Sequence, residues 1–163
     1  MFLKKFYFIL SLIYTNVDSF RIFNYKKRSH SYLKSHFSTI ETTISDKNLL
    51  IQSLHDLYPK NEINIQDTVI TEYGQNKKVN VSLLQENNHP IGFQLKNGRY
   101  HLVADLGFWG LPQPPELFLE KLTQQYSLNN VLEVAKESHY DVNYVKKISN
   151  TGVIEIELSK YIL

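Results

Sequence analysis

Apolar positions switch between two periods along residues 37–158, and the switches lay out the elements. Phe37, Thr39, Glu41 and Thr43 alternate with Ser38, Ile40, Thr42 and Ile44, a β-branched run that predicts a first strand. Leu50, Leu54 and Leu57 then recur at the i, i+4, i+7 spacing of one helix face; Ser45 or Asp46 can cap its start and Pro59 ends it. Residues 69–73 and 78–84 read as two strands joined through Gly74-Gln75-Asn76, with Val79, Val81 and Leu83 on one face and Asn80 and Ser82 on the other. Past the loop Asn87-Asn88-His89-Pro90, residues 91–95 and 100–104 flank Lys96-Asn97-Gly98-Arg99. Asn-Gly tolerates the two positive φ angles of a type I′ turn, so a tight hairpin is the sharpest local prediction in the chain.

Pro112-Gln113-Pro114-Pro115 stiffens the approach to a helix from about Glu116, with Leu119, Leu122 and Tyr126 as its buried stripe and Phe118 alongside. A further helical piece over residues 129–138 presents Leu128, Val131, Leu132 and Ala135. Two last strands, residues 142–148 and 153–158, pair across Asn150-Thr151-Gly152. In the second, Glu155 and Glu157 form an exposed polar face opposite Ile154, Ile156 and Leu158. This order predicts an α+β fold: an antiparallel sheet of about six to seven strands with two to three helices packed on one face.

Charge divides the chain in two. Residues 1–34 hold seven of the 18 Lys and Arg but one of the 16 acidic residues, Asp18, a net of +6 that leaves −4 for the remainder. Lys4 and Lys5 precede the apolar stretch 6–14, interrupted only by Ser11. This is the pattern of a secretory signal, and it falls short of the roughly 20 apolar residues of a transmembrane helix. Val17 and Ser19 suit the −3 and −1 positions of a cut after Ser19. Residues 20–34 are basic, hydroxyl-bearing and acid-free, the composition of a transit peptide. The expectation is a bipartite leader over 1–34 and a single α+β domain over 35–163. The protein would be nuclear-encoded and delivered, with its leader cleaved, to the stroma of a secondary red-lineage plastid. A plain signal peptide with a basic arm and an N-terminal membrane anchor are the competing readings; the mature part holds no apolar run long enough to span a membrane. The absence of cysteine excludes thiolate catalysis, thiolate zinc sites and an iron–sulfur cluster ligated by this chain alone, and favours an organelle interior over the cell exterior.

Three stretches resemble one family: Ser35-His36-Phe37-Ser38-Thr39-Ile40, then Leu102-Val103-Ala104-Asp105-Leu106-Gly107-Phe108-Trp109, then Phe118-Leu119-Glu120-Lys121-Leu122-Thr123-Gln124-Gln125-Tyr126. The chain is similar to the hypothetical chloroplast reading frame family number thirty-five of red-lineage plastids and cyanobacteria, over residues 35–161. The resemblance implies a plastid setting and a shared fold; it brings no activity, cofactor or site residue with it. There are two departures. Tyr126-Ser127-Leu128-Asn129 stands where the family pattern continues Tyr-Ala-Tyr-His, and His139-Tyr140 replaces a Gly-Phe before the last hairpin.

Candidate chemistry centres on the end of the predicted strand 100–104. Tyr100, His101, Asp105, Phe108 and Trp109, with Gly107 and Gly110 loosening the backbone between them, could line a pocket for a ligand or a partner. The competing reading packs Phe108 and Trp109 into the core and leaves Asp105 to cap a turn. Among His36, His55, His89, His101 and His139 no two share the spacing of a local metal pair, so no metal or cofactor is expected unless His36 and His101 converge. His55 lies off the apolar helix face and is expected in solvent. No Gly-x-Ser-x-Gly elbow, phosphate loop, dinucleotide fingerprint or calcium loop occurs. The acidic balance of the domain disfavours a nucleic-acid partner.

These features favour a non-catalytic plastid accessory protein that binds another protein or assists assembly of a complex. Two alternatives remain open: a small-ligand-binding protein or enzyme with a pocket near Asp105 and Trp109, and an RNA-binding α+β module whose sheet aromatics stack bases.

Overall fold

A computed structural model describes residues 2–10, 37–65, 68–72, 75–148 and 152–162. In chain order these form β1 (Phe2–Leu10), β2 (Phe37–Glu41), α1 (Lys47–Leu57), β3 (Ile63–Asn64), β4 (Thr68–Glu72), β5 (Gln75–Val79), β6 (Val81–Leu84), β7 (Pro90–Lys96), β8 (Arg99–Asp105), a 3-10 turn (Leu106–Phe108), α2 (Pro115–Glu137), β9 (Asp141–Lys147) and β10 (Ile154–Ile162). The fold is α+β with antiparallel strands. They divide among a five-stranded sheet ordered β2-β8-β7-β6-β3, a three-stranded sheet ordered β1-β10-β9 and the β4-β5 pair.

The β7-β8 hairpin forms as its turn residues dictate. Lys96 pairs with Arg99, and Asn97 and Gly98 take φ of +52° and +76°, the two left-handed positions of a type I′ turn. Asp46 caps α1 by accepting a hydrogen bond from the Leu49 amide at 2.9 Å. Leu50 and Leu54 of α1 and Phe118 and Leu122 of α2 meet Val81, Leu83, Ile91, Phe93, Tyr100, Leu102 and Ala104, so both helices cover one face of the five-stranded sheet.

Two readings of the periodicity need correction. Val79 and Val81 share parity but not a face: Val81 joins the core under the helices, while Val79 packs with Val103 and Phe37 on the other side of the sheet. The chain bends at Asn80, whose side-chain oxygen accepts from the Leu95 amide at 2.7 Å, and β5 and β6 belong to different sheets. The second correction is that α2 is one helix rather than two pieces. Leu122 and Val131 are nine residues apart, two and a half turns, and therefore face opposite sides. The first half of α2 serves the core just described. The second half packs Leu128, Val131 and Ala135 on Ile154, Ile156 and Leu158 of β10.

The stretch Phe2–Leu10, whose sequence resembles the head of a leader, forms β1 and pairs with β10 from Phe2 opposite Ile162 to Leu10 opposite Ile154. The cut after Ser19, the basic segment 20–34 and His36 lie outside the described residues. His55 is exposed, as its position off the helix stripe requires. Glu157, expected in solvent, is buried and accepts a hydrogen bond from Asn143 Nδ2 at 2.9 Å.

Paired cap bonds end α2: the His139 amide donates to the Lys136 carbonyl at 3.1 Å and the Tyr140 amide to Ala135 at 2.8 Å. This cap needs a left-handed residue after the last turn, and His139 supplies it at φ +57°. It occupies the place of the family's Gly in the Gly-Phe pair. A side chain there works against the backbone. His139→Gly should therefore stabilise the protein by about 1 kcal/mol, read as a rise of about 2–4 °C in thermal midpoint; an unchanged or lower midpoint would show that the imidazole makes up for the strained backbone.

Candidate functional site

The end of β8 forms a pinned corner. Asp105 starts the 3-10 turn by accepting from the Gly107 amide through Oδ1 at 2.9 Å, and its other oxygen, Oδ2, is buried with no hydrogen-bond partner among the described residues. Phe108 stacks on His89 with ring centres 4.3 Å apart. Trp109 packs edge-on to Phe118 at 5.4 Å, and its Nε1 donates to the Gln113 carbonyl at 2.7 Å. The loop after β6 holds this corner from the side. The Gly110 amide donates to Gln85 Oε1 at 2.6 Å, and Asn87 Nδ2 donates to the Phe108 carbonyl at 2.8 Å. A Cβ on Gly110 would lie 2.4 Å from Asn87 Nδ2, so a larger residue there would displace the Asn87 side chain from the Phe108 carbonyl. Gln113 Nε2 donates to Tyr58 Oη; burial pushes the Tyr58 phenol above its ordinary pKa, and this hydrogen bond offsets part of the rise.

The structure brings Asp105, Phe108 and Trp109 to this corner but does not gather all five candidates. Tyr100 is buried in the helix-covered core, its amide donating to the Ile44 carbonyl at 2.7 Å. His101 points to the opposite face of β8, beside Glu41 and Gln94 on the neighbouring strands. Tyr100 and Asp105 are five residues apart on one strand, about 17 Å. Phe108 and Trp109 serve here as packing groups, and Asp105 caps the turn.

A second region went unremarked in the sequence. All seven residues of β9 are exposed, and β9 is an outer strand of its sheet. Three of its side chains are large and apolar, Val142, Tyr144 and Val145, each 40–44% exposed. Its register with β10 shifts between Glu157 and Leu158, which leaves Asn143 as the extra residue of a β-bulge. The bulge changes the phase of the strand. Val145 lies opposite Ile156 and Val142 opposite Leu158, so two residues at odd spacing face the same way, toward α2. Together with Leu132 and Tyr140 they line an open groove of about 720 Å³, whose polar lining is Lys136, His139 and Asp141. The adjacent apolar pair Tyr144-Val145 was the one sequence signal of this change of phase.

Among the described residues no group of three or more His, Asp or Glu could hold a metal ion, and no helix is long and apolar enough to cross a membrane.

Fold and site thus define a small antiparallel α+β protein with a packed corner at the end of β8 and an open strand edge at β9. Residues 53–156 match the family model described as a protein of unknown function, DUF1257, and the chain belongs to this family. It is similar to proteins named uncharacterized protein ycf35. The one from Guillardia theta is 39% identical over 129 residues, covering 78% of this chain and 98% of that one. The one from Pyropia yezoensis is 40% identical over 107 residues, 66% and 83%. The one from Cyanophora paradoxa is 34% identical over 99 residues, 61% and 77%. No solved structure matches significantly. The resemblance read in the sequence is therefore correct, and this is an uncharacterised family of plastid proteins. The expected route is not. These relatives are encoded in plastid genomes, which overturns the expectation of a nuclear-encoded chain with a cleaved leader: a family made inside the organelle needs no import sequence.

Trp109→Ala should cost about 3 kcal/mol of stability, because it removes the indole packed on Phe118 and leaves the Gln113 carbonyl without this donor; a melting curve like the parent's would show that the indole is no part of the core. Asp105→Asn keeps an oxygen for the Gly107 amide and should melt no lower than the parent, since Oδ2 has no bond to lose. A clear drop would mean that Oδ2 holds a partner in solution.

Proposed function

We propose that the protein is a non-catalytic plastid accessory factor that docks another protein on the β9 edge and so assists assembly of a complex. The exposed β9 strand beside an apolar groove is the observation that supports this reading. An outer strand presents unpaired backbone donors and acceptors to an incoming strand, and a neighbouring groove sorts its side chains. Val142 and Val145 are apolar groups in water that docking would cover. At about 25 cal/mol per Å² of apolar area removed from water, this surface gives a partner a reason to stay.

A second reading, a small-ligand site near Asp105 and Trp109, has one observation in its favour: the buried, unpartnered Asp105 Oδ2. The polar side chains that reach this corner, Gln85 and Asn87, are engaged by the Gly110 amide and the Phe108 carbonyl.

Val145→Asp tests the first reading, because a half-exposed residue can change with little effect on folding, typically within about 0.5 kcal/mol. Tagged parent and variant should melt alike, and a partner retained by the parent in plastid extracts should be recovered at least ten-fold less with the variant. Equal recovery would remove the β9 edge from the function.

A further inference from the structure

Resting on that reading, we propose the kind of partner the β9 edge takes: an extended segment whose groove-side face carries apolar side chains flanked by carboxylates. The backbone geometry sets the length of the contact. The Ile148 amide donates to the Val153 carbonyl at 2.8 Å, so alternation turns the backbone groups of Lys146 and Tyr144 toward β10 and those of Val145 and Lys147 outward. The bulge at Asn143 interrupts the run on the other side, which leaves a short landing site.

Charge decides what can land there. Lys147 lies opposite Ile154 and shares the groove face with Val145 and Val142. Lys136, one residue from the end of α2, lines the groove at the other end. Neither has an ion-pair partner among the described residues, and Asp141 is the one acid in the groove lining. An incoming strand that carries, at every second residue on its groove-side face, apolar side chains over Val142 and Val145 and carboxylates toward Lys136 and Lys147 satisfies both features at once. A second copy of this chain fits poorly. Two-fold antiparallel pairing through Val145 and Lys147 of both copies sets Lys146 directly against Lys146, and like charges facing across a ladder are destabilising. A nucleic acid would find the lysines, but the groove is lined by aliphatic Leu132, Val142 and Val145, and its one tyrosine ring, Tyr140, already has Lys160 Nζ 5.2 Å from its centre.

The test uses the full chain and three fluorescein-labelled probes read by anisotropy: a nine-residue Val–Glu peptide with Glu, Val, Val and Glu at alternate positions and Ser at all others, a Val–Lys peptide with Lys in place of both Glu, and an oligouridylate. The Val–Glu peptide should bind at least ten-fold tighter than the Val–Lys peptide. The double variant Lys136→Glu, Lys147→Glu should close or reverse that gap while melting like the parent, and Val145→Asp should abolish binding of the Val–Glu peptide. If the Val–Lys peptide binds as well or better and is still lost with Val145→Asp, the acidic partner is wrong and the docking edge stands. If neither peptide binds and Val145→Asp leaves partner recovery unchanged, both fail. Tightest binding of the oligouridylate would overturn the proposal in favour of nucleic acid. A dimer in light scattering that dissociates with Val145→Asp would overturn it in favour of a second copy.

Discussion

One helix has to serve two sheets, and the turn of its apolar stripe decides how everything else is placed. In its first half α2 offers Phe118 and Leu122 to the five-stranded sheet; in its second it offers Ala135, with Leu128 and Val131, to β10. The middle must then be polar on both sides and still remain helical inside the protein. Its polar groups are bonded outward to other elements. Asn129 is buried, and its Nδ2 donates to Ser53 Oγ at 3.1 Å and to Asp56 Oδ2 at 2.8 Å, both on α1. Gln124 Nε2 donates to the Gly152 carbonyl at 2.6 Å, reaching the turn between β9 and β10. Losing one of these bonds strands a buried polar group at a cost of about 1–3 kcal/mol. The polar waist of α2 is therefore a joint fastened to α1 on one side and to the three-stranded sheet on the other.

This arrangement explains what could be read in advance. The β7-β8 hairpin and α1 were legible because a turn pair and a cap residue are local instructions. α2 was misread as two pieces because periodicity tests one stripe at a time, and a stripe that moves half a turn around the helix looks like a break. Val79 and Val81 were assigned to one face because alternation assumes a straight strand, and nothing local announces the bend at Asn80. The corner at Asp105, Phe108 and Trp109 was found because its glycines and aromatics mark a strand end. Whether it was a pocket or a packed corner depended on Gln85, Asn87 and His89, which reach it from another loop. The β9 edge was invisible for a different reason: exposure of a strand is a property of its neighbours in the sheet, not of its own residues.

The family comparison gains a physical meaning in the same way. A Gly before the last hairpin is what a left-handed cap residue calls for, and Tyr140 in place of Phe keeps an aromatic ring in the groove that follows. Phe or Tyr serves that packing; a histidine in place of Gly is a local cost accepted by this chain. The substitution is, in the first place, a matter of backbone conformation.

The β9 edge carries devices that sheet proteins use against unwanted pairing: a bulge, two consecutive lysines and a short usable run. Yet the same bulge turns Val142 onto the groove face beside Val145, which enlarges the apolar surface instead of hiding it. Were protection the sole purpose, Asn143 could have been inserted without leaving two valines, Leu132 and Tyr140 open around a common groove. The lysines discourage a strand that resembles β9 itself, and they do not discourage one with carboxylates at the matching positions. An edge that disfavours its own kind while keeping an apolar groove open is selective, and selectivity of that form is what the proposed docking role requires.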